Sequence, residues 1–333
     1  MKVFINSHSS INALVGMTTQ GLPDQLRISP EGLRRPCLEP DYKAYITDSG
    51  SRRRMSRAVK MGVAAAMHCL SQTEAQPDAI ITATGLGCLG DTEKFLKTLI
   101  DNGEELLNPT PFIQSTFNTV GAQVAMILKN KSYNITYVHR GFSFEHTLLD
   151  AWMQLNEQEA QHILIGSYEE TTDTSFHIME RLGFWRNGTL AGEGAQFFML
   201  STKEDKGCEL KGILPIFKPQ TEDISAYLID FLGRHQLQTQ DIDLLVTGEN
   251  KPDSYYQAIE QQLPEASIAC HKHLTGDYQT ASSLALWLSV QLMQTGHLPS
   301  YLAKRDARRP IRRILVYNHF LKNHSFILLE KTI

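Results

Sequence analysis

Short apolar runs rich in β-branched residues recur along this chain with helix-like patterns between most of them, and the series is written twice. The first series occupies residues 2–5, 79–84, 134–139, 162–166 and 195–201; the second occupies 209–217, 243–247, 267–270, 314–317 and 325–330. Alternation of this kind is an α/β signature, and strands that are apolar throughout indicate sheets covered on both faces by helices. The two series also close alike, on Gln196-Phe197-Phe198-Met199-Leu200 and on Phe326-Ile327-Leu328-Leu329-Glu330. The pattern predicts a structural duplication, with halves 1–204 and 205–333 fused through a charged turn at 202–207. Helices are expected over 52–70, over 92–102 with Asp91 as N-cap, over 144–156 and over 280–295.

Composition excludes several classes of function. The hydrophobic share of 42%, the charged share of 20% and 333 residues describe a full globular protein with no apolar stretch of membrane-spanning length. A formal net charge of −4 argues against nucleic acid as the main partner. The N-terminus reads as a strand and not as an export signal, and five cysteines without a CxxC pair suit free thiols, so a cytoplasmic protein is expected. The twelve histidines never reach a convincing ligand spacing with Cys or carboxylates, so no metal and no dissociable cofactor is expected. Gly85-Leu86-Gly87-Cys88-Leu89-Gly90 is a literal GxGxxG, but it lacks an independent βαβ unit before it and reads better as a tight glycine turn than as a nucleotide site.

That turn is one of several segments, spread over nearly the whole chain, that resemble the β-ketoacyl synthases. Residues Ala79 to Gly87 resemble their GxxxGTGxGG strand and turn, and Asn108-Pro109-Thr110-Pro111-Phe112 with Asn118 resembles SPFxxPxxxxN. Tyr45-Ile46 followed by Arg53-Arg54-Met55-Ser56-Arg57 is similar to YI…RRMDR, and Leu190 to Ala195 to xMGEGAG. Lys272-His273-Leu274-Thr275-Gly276-Asp277 resembles KSMTGH, and Asn318-His319-Phe320 the start of NSFGFGG. All stand in the family's order. The resemblance implies a thiolase-like, five-layered α-β-α-β-α fold of two similar halves. It also implies a dimer through the strand 134–139, with Ile135, Tyr137 and Val138 at the interface, and a carrier-facing basic position at Arg53 and Arg54.

The family's chemistry does not carry over with its framework. Ketosynthases place a nucleophilic Cys at a buried helix N-terminus and use two His to decarboxylate a malonyl thioester. Matching the strand upstream and Asp150-Ala151 downstream puts Gly141 at the Cys position. The NAHGTGT segment corresponds to Leu245 through Asn250 and puts Thr247 at the first His, while Asp277 stands at the second. Lys272 and Glu193 are retained. An ionised Asp277 is expected to repel a malonyl carboxylate. The glycines after the Phe are replaced by Leu321-Lys322-Asn323-His324.

No catalytic residue for condensation is therefore expected. The resemblance narrows to the chain-length factor of type II polyketide synthases, an inactive subunit that pairs with an active ketosynthase in polyketide, aryl-polyene or fatty-acid-like synthesis. The partners it implies are an active ketosynthase or a second copy, with an acyl carrier protein possible. Two other readings stay open here: an acyltransferase or thioesterase with a displaced Ser143/His146 pair, three apart on one helix face, and a stand-alone acyl-binding homodimer.

Overall fold

The structure, a computed structural model, describes residues 1–17, 21–26, 32–204 and 207–332. Asp205 and Lys206, in the expected junction between the halves, lie outside the described residues. The first half contains β1 (Phe4–Ile11), β2 (Arg34–Arg35), α1 (Ser49–Arg54), α2 (Arg57–Leu70), β3 (Ala79–Ala83), α3 (Leu89–Asp101), α4 (Pro109–Ser115) and α5 (Thr119–Leu128). It continues with β4 (Tyr133–Tyr137), α6 (Ser143–Asn156), β5 (His162–Glu169), α7 (Asp173–Arg181), β6 (Ala191–Gly192) and β7 (Gly194–Ser201). The second half runs β8 (Cys208–Phe217), α8 (Ile224–Arg234), β9 (Leu244–Thr247), α9 (Ser254–Gln262), β10 (Ser267–Cys270) and α10 (Lys272–Thr275). It ends with α11 (Ala281–Thr295), β11 (Ala303–Arg305), β12 (Arg313–Phe320) and β13 (Asn323–Lys331).

Strand order repeats between the halves. One 11-stranded sheet runs β11-β10-β9-β12-β13-β8-β1-β7-β5-β3-β4. Read outward from its centre, the first half is β1-β7-β5-β3-β4 and the second β8-β13-β12-β9-β10, so β7 and β13, the two strands with matching sequences, hold equivalent places. In each half three adjacent strands pair in parallel, β3 with β4 and β5, and β9 with β10 and β12, while the two nearest the centre are joined by antiparallel pairing; β11 adds a sixth strand, antiparallel to β10, at the outer edge of the second half. The halves meet at the Phe4–Glu209 pair of β1 and β8. Parallel strands need crossover helices, and those helices bury both faces, which is why the sequence runs are apolar throughout.

Three apolar cores separate five layers. A central core places Phe144 and Leu148 of α6 and Leu284 and Leu288 of α11 between the two sheet halves. A second packs Val59, Met61 and Val63 of α2 on the outer face of the first half, and a third packs Leu228 and Phe231 of α8 on the outer face of the second. The five layers that the resemblance implies are present.

The helix boundaries differ in two places. The expected helix over 52–70 is two helices, broken at Met55, whose ψ of 134° is extended. Asp48 and Ser56 hold their N-cap positions, and the Asp48 carboxylate accepts from the Ser51 amide. Asp91 is not an N-cap, because α3 begins at Leu89; it lies buried inside the first turn, where a carboxylate suits the helix dipole.

Candidate functional site

Parallel strands deliver their loops to one end of a sheet, and ligand sites form there. Gly141 follows β4, Gly248 follows β9, Lys272 follows β10 and Phe320 ends β12, so the residues singled out in the sequence come from that end of both halves. Gly141 lies in a 3₁₀ turn, Arg140–Phe142, that leads directly into α6. Arg140 takes a φ of 53°, which turns the chain sharply from strand to helix. Gly141 is buried, and a Cβ there meets Asn323 Nδ2 at 2.8 Å and Phe320 at 3.1 Å. The space for a side chain is occupied by the hairpin opposite.

That hairpin replaces the glycine loop of the resembled family. β12 and β13 are joined by Leu321 and Lys322 alone, with Phe320 and Asn323 paired across the turn. Leu321 adopts the positive φ, 57°, that a short hairpin turn demands and that Gly takes more easily. The two-residue turn fixes Asn323 over Gly141 and Phe320 beside it.

Lys272 is 2% exposed, and its ammonium lies 2.8 Å from Asp277 Oδ1 and 3.1 Å from the His319 carbonyl. This corrects the electrostatic expectation: Asp277 does not stand alone against an incoming carboxylate but cancels the charge of the retained lysine. The backbone of Asp277 is tied to Leu190 and Gly192, so the pair is fixed to the segment that carries Glu193. Thr247 does not face the site either. It is fully buried, with its hydroxyl 3.3 Å from Cys270 Sγ, and Gly248 is the residue that opens on the cavity. A Cβ on Gly248 meets Lys272 Cε at 2.5 Å and Tyr256 Oη at 2.7 Å, so a histidine has no room there.

Glu193 is a framework residue. Its carboxylate accepts a bidentate bond from Arg57, at 2.7 Å and 2.5 Å, and bonds from the amides of Cys37 and Thr171 at 3.1 Å and 3.0 Å. Burial pushes its carboxyl up, but Arg57 outweighs burial and holds it below the usual carboxylate range. Arg57 is thereby removed from any basic docking patch. In α1, Arg52 donates to the Ile46 carbonyl and Arg54 to that of Gly50, whereas Arg53 has no partner recorded among the described residues.

The displaced Ser143/His146 pair does not form. Ser143 is fully buried, donates towards Thr84 O and Arg140 O at 2.9 Å and 2.8 Å, and accepts the His139 amide at 2.8 Å. His146 Nδ1 meets His139 Nδ1 at 2.5 Å instead. A hydroxyl so bound, with no imidazole against it, is not an activated nucleophile. The GxGxxG turn is likewise filled from within: Glu169 accepts from the Gly85 amide, Glu170 from the Gly90 amide at 2.9 Å, and Phe117 lies where a Gly87 Cβ would be. No room remains for a pyrophosphate.

A cavity of about 390 Å³ opens beside these residues, lined among others by Phe184, Trp185, Gly248, Lys272, Asp277 and Phe320. Sequence reasoning missed three of its polar residues, Lys251, Asp253 and His319. His319 Nε2 lies 3.3 Å from Asp253 Oδ1, and its ring rests 4.6 Å from Tyr256 and 4.9 Å from His324. Asp253 caps α9 through the Tyr255 amide, so the only sequence signal was an N-cap Asp before a helix. Among the described residues no group of three or more His, Cys, Asp or Glu is placed to hold a metal ion, and no helix is long and apolar enough to cross a membrane.

β4, the strand expected at the dimer interface, is the free edge of the sheet. Ile135, Tyr137 and Val138 are half-buried, and Ile135 and Tyr137 pack partly on the central core. On the same strand Tyr133 is exposed, as is Met126 of α5, which packs beside β4.

Residues 46–189 match the family described as Beta-ketoacyl synthase, N-terminal domain. No curated protein matches the chain in sequence. Among solved structures, the ishigamide ketosynthase/chain length factor superposes with a TM-score of 0.78 at 16% identity, covering 100% of this chain and 99% of that one. A beta-ketoacyl synthase from Burkholderia phymatum STM815 gives 0.81 at 14%, covering both chains completely. The ketosynthase ApeO in complex with its chain length factor ApeC, from Xenorhabdus doucetiae, gives 0.73 at 13%, covering 99% and 98%. At these identities the likeness establishes a shared thiolase-like fold.

Proposed function

We propose that this protein is a non-catalytic, chain-length-factor-like partner subunit of a ketosynthase, because residues 46–189 match the β-ketoacyl synthase N-terminal domain family and the whole chain shares a thiolase-like fold. One observation carries the reading: at the head of α6, where a nucleophile belongs, Gly141 lies against Asn323 and Phe320. Gly141 supplies no thiolate, the Gly248 position has no room for an imidazole, and Lys272 is neutralised by Asp277. Nothing at this site forms an acyl-enzyme or accepts the charge of a decarboxylation. The expected product class, polyketide, aryl polyene or fatty-acid-like, and a cytoplasmic location belong to the same reading.

The test is direct. The purified chain, incubated with acyl and malonyl thioesters, is expected to show no acyl adduct by intact-mass spectrometry and no condensation. Gly141→Cys is expected to stay inactive as well, because its side chain presses on Asn323 and Phe320 and still lacks both histidines. Turnover by that variant overturns the assignment of Gly141.

A partner subunit needs a partner surface, and the β4 edge with its apolar surround supplies one. An edge strand with unpaired backbone groups beside exposed aromatic and Met side chains favours pairing with another chain, either an active ketosynthase or a second copy. Charge at Ile135 disturbs the core as well as the edge, so Met126, 70% exposed, is the cleaner probe. Met126→Glu is expected to shift the protein from dimer to monomer in size-exclusion light scattering with its circular dichroism unchanged. A retained dimer rules out this surface.

A further inference from the structure

Charges around the cavity described above are closed on themselves, with one exception. Lys272 is matched by Asp277 at 2.8 Å and His319 by Asp253 at 3.3 Å. Lys251 also lines the cavity, yet its ammonium has no acidic partner among the described residues and meets only the Thr189 hydroxyl, at 3.1 Å. Leu182, Phe184, Trp185 and Phe320 supply apolar wall. A volume of about 390 Å³ is within the range of small-molecule sites and too large to be a packing defect.

We infer that this cavity binds an amphipathic monoanion, an apolar chain ending in a single carboxylate, with Lys251 holding the carboxylate and the aromatic wall holding the chain. One unmatched cation balances one negative charge, and removing the chain from water against the apolar wall supplies the larger share of the affinity. A dianion finds no second cation, because the ammonium of Lys272 already faces Asp277. The site lies wholly within one chain and stands apart from the partner-subunit reading: it requires no ketosynthase, no carrier protein and no dimer.

Isothermal titration of the isolated full chain with octanoate, 1-octanol and acetate tests it. Octanoate is expected to bind about tenfold more tightly than octanol, the size of one partly exposed charge-assisted hydrogen bond, and acetate not measurably. Lys251→Met is expected to erase the difference between octanoate and octanol, while Lys251→Arg keeps it. Equal affinity for octanoate and octanol in the unmodified protein overturns the inference, as does an unchanged octanoate affinity in Lys251→Met or no octanoate binding at millimolar concentration. Thermal unfolding of each variant at the unmodified midpoint separates loss of the site from loss of the fold.

Discussion

Arg57→Met is expected to lower stability by about 3 kcal/mol at pH 7, more than any surface change in this chain. Glu193 is 4% exposed, and its other partners are the amides of Cys37 and Thr171, which cannot neutralise a full charge. Breaking a buried ion pair by removing one member leaves an uncompensated charge, typically at a cost of about 3–5 kcal/mol. The lower figure applies because the Arg57 side chain is 36% exposed and water can reach the vacated place. At this chain length the loss corresponds to a fall of about 5 °C in the thermal midpoint. The pH dependence has a definite sign. Arg57 holds the Glu193 carboxyl below its ordinary range in the folded state, so its contribution is full above about pH 4.5 and is lost as pH falls through the folded value. The double variant Arg57→Met with Glu193→Gln is expected to recover most of the loss, because the one carboxylate then left unpaired, that of Glu39, is 33% exposed and water reaches it. A double variant as unstable as the single one shows that Arg57 acts through packing and not through charge.

Much of the architecture could be read from the sequence because burial on both sheet faces leaves an unmistakable mark. The runs at β3, β5, β7, β9, β12 and β13 are apolar because both sides are covered, and the likeness of β7 to β13 reflects equivalent places in two halves. Boundaries were harder. The break at Met55, where the backbone turns extended before Ser56 takes the N-cap position of α2, was concealed by the continuous pattern of small and basic residues. The turn before α6 that holds Gly141 could be located from Asp150-Ala151 downstream, whereas only the strand geometry shows that Thr247 faces Cys270 and Gly248 the cavity. The pairing of Lys272 with Asp277 could not be seen as a pair, since four residues separate them and it is the end of α10 at Gly276 that decides whether they meet. His319 with Asp253 was out of reach for a stronger reason: the two lie on different elements, and each residue alone has an ordinary local explanation.

Glu145→Gln is expected to stabilise the protein at pH 8 by about 2–3 kcal/mol and to change little at pH 4.5. Glu145 lies in the first turn of α6, fully buried, and its Oε1 accepts the Ser325 hydroxyl at 2.9 Å across the boundary between the halves. Burial pushes its carboxyl up to about 7, against smaller opposing effects from Ser282, its own backbone, Ser325 and the charge of Lys272. An unfolded glutamic acid releases its proton near 4.5, so between about 4.5 and 7 the folded chain holds a proton that the unfolded chain has lost. Stability from this residue is therefore greatest below about pH 4.5, declines as pH rises through 7, and is flat above that. Glutamine keeps the shape and the acceptor for Ser325 and never ionises, which removes the decline. Glu169, pushed up to about 8 by its own burial, contributes a similar slope to both proteins, so the difference between variant and parent isolates Glu145. Chemical denaturation of both at pH 5 and pH 8 provides the measurement. A stability difference that is the same at the two pH values shows that Glu145 ionises in the folded state at its ordinary value, and that the carboxyl beneath Gly141 is charged and not neutral at the head of α6.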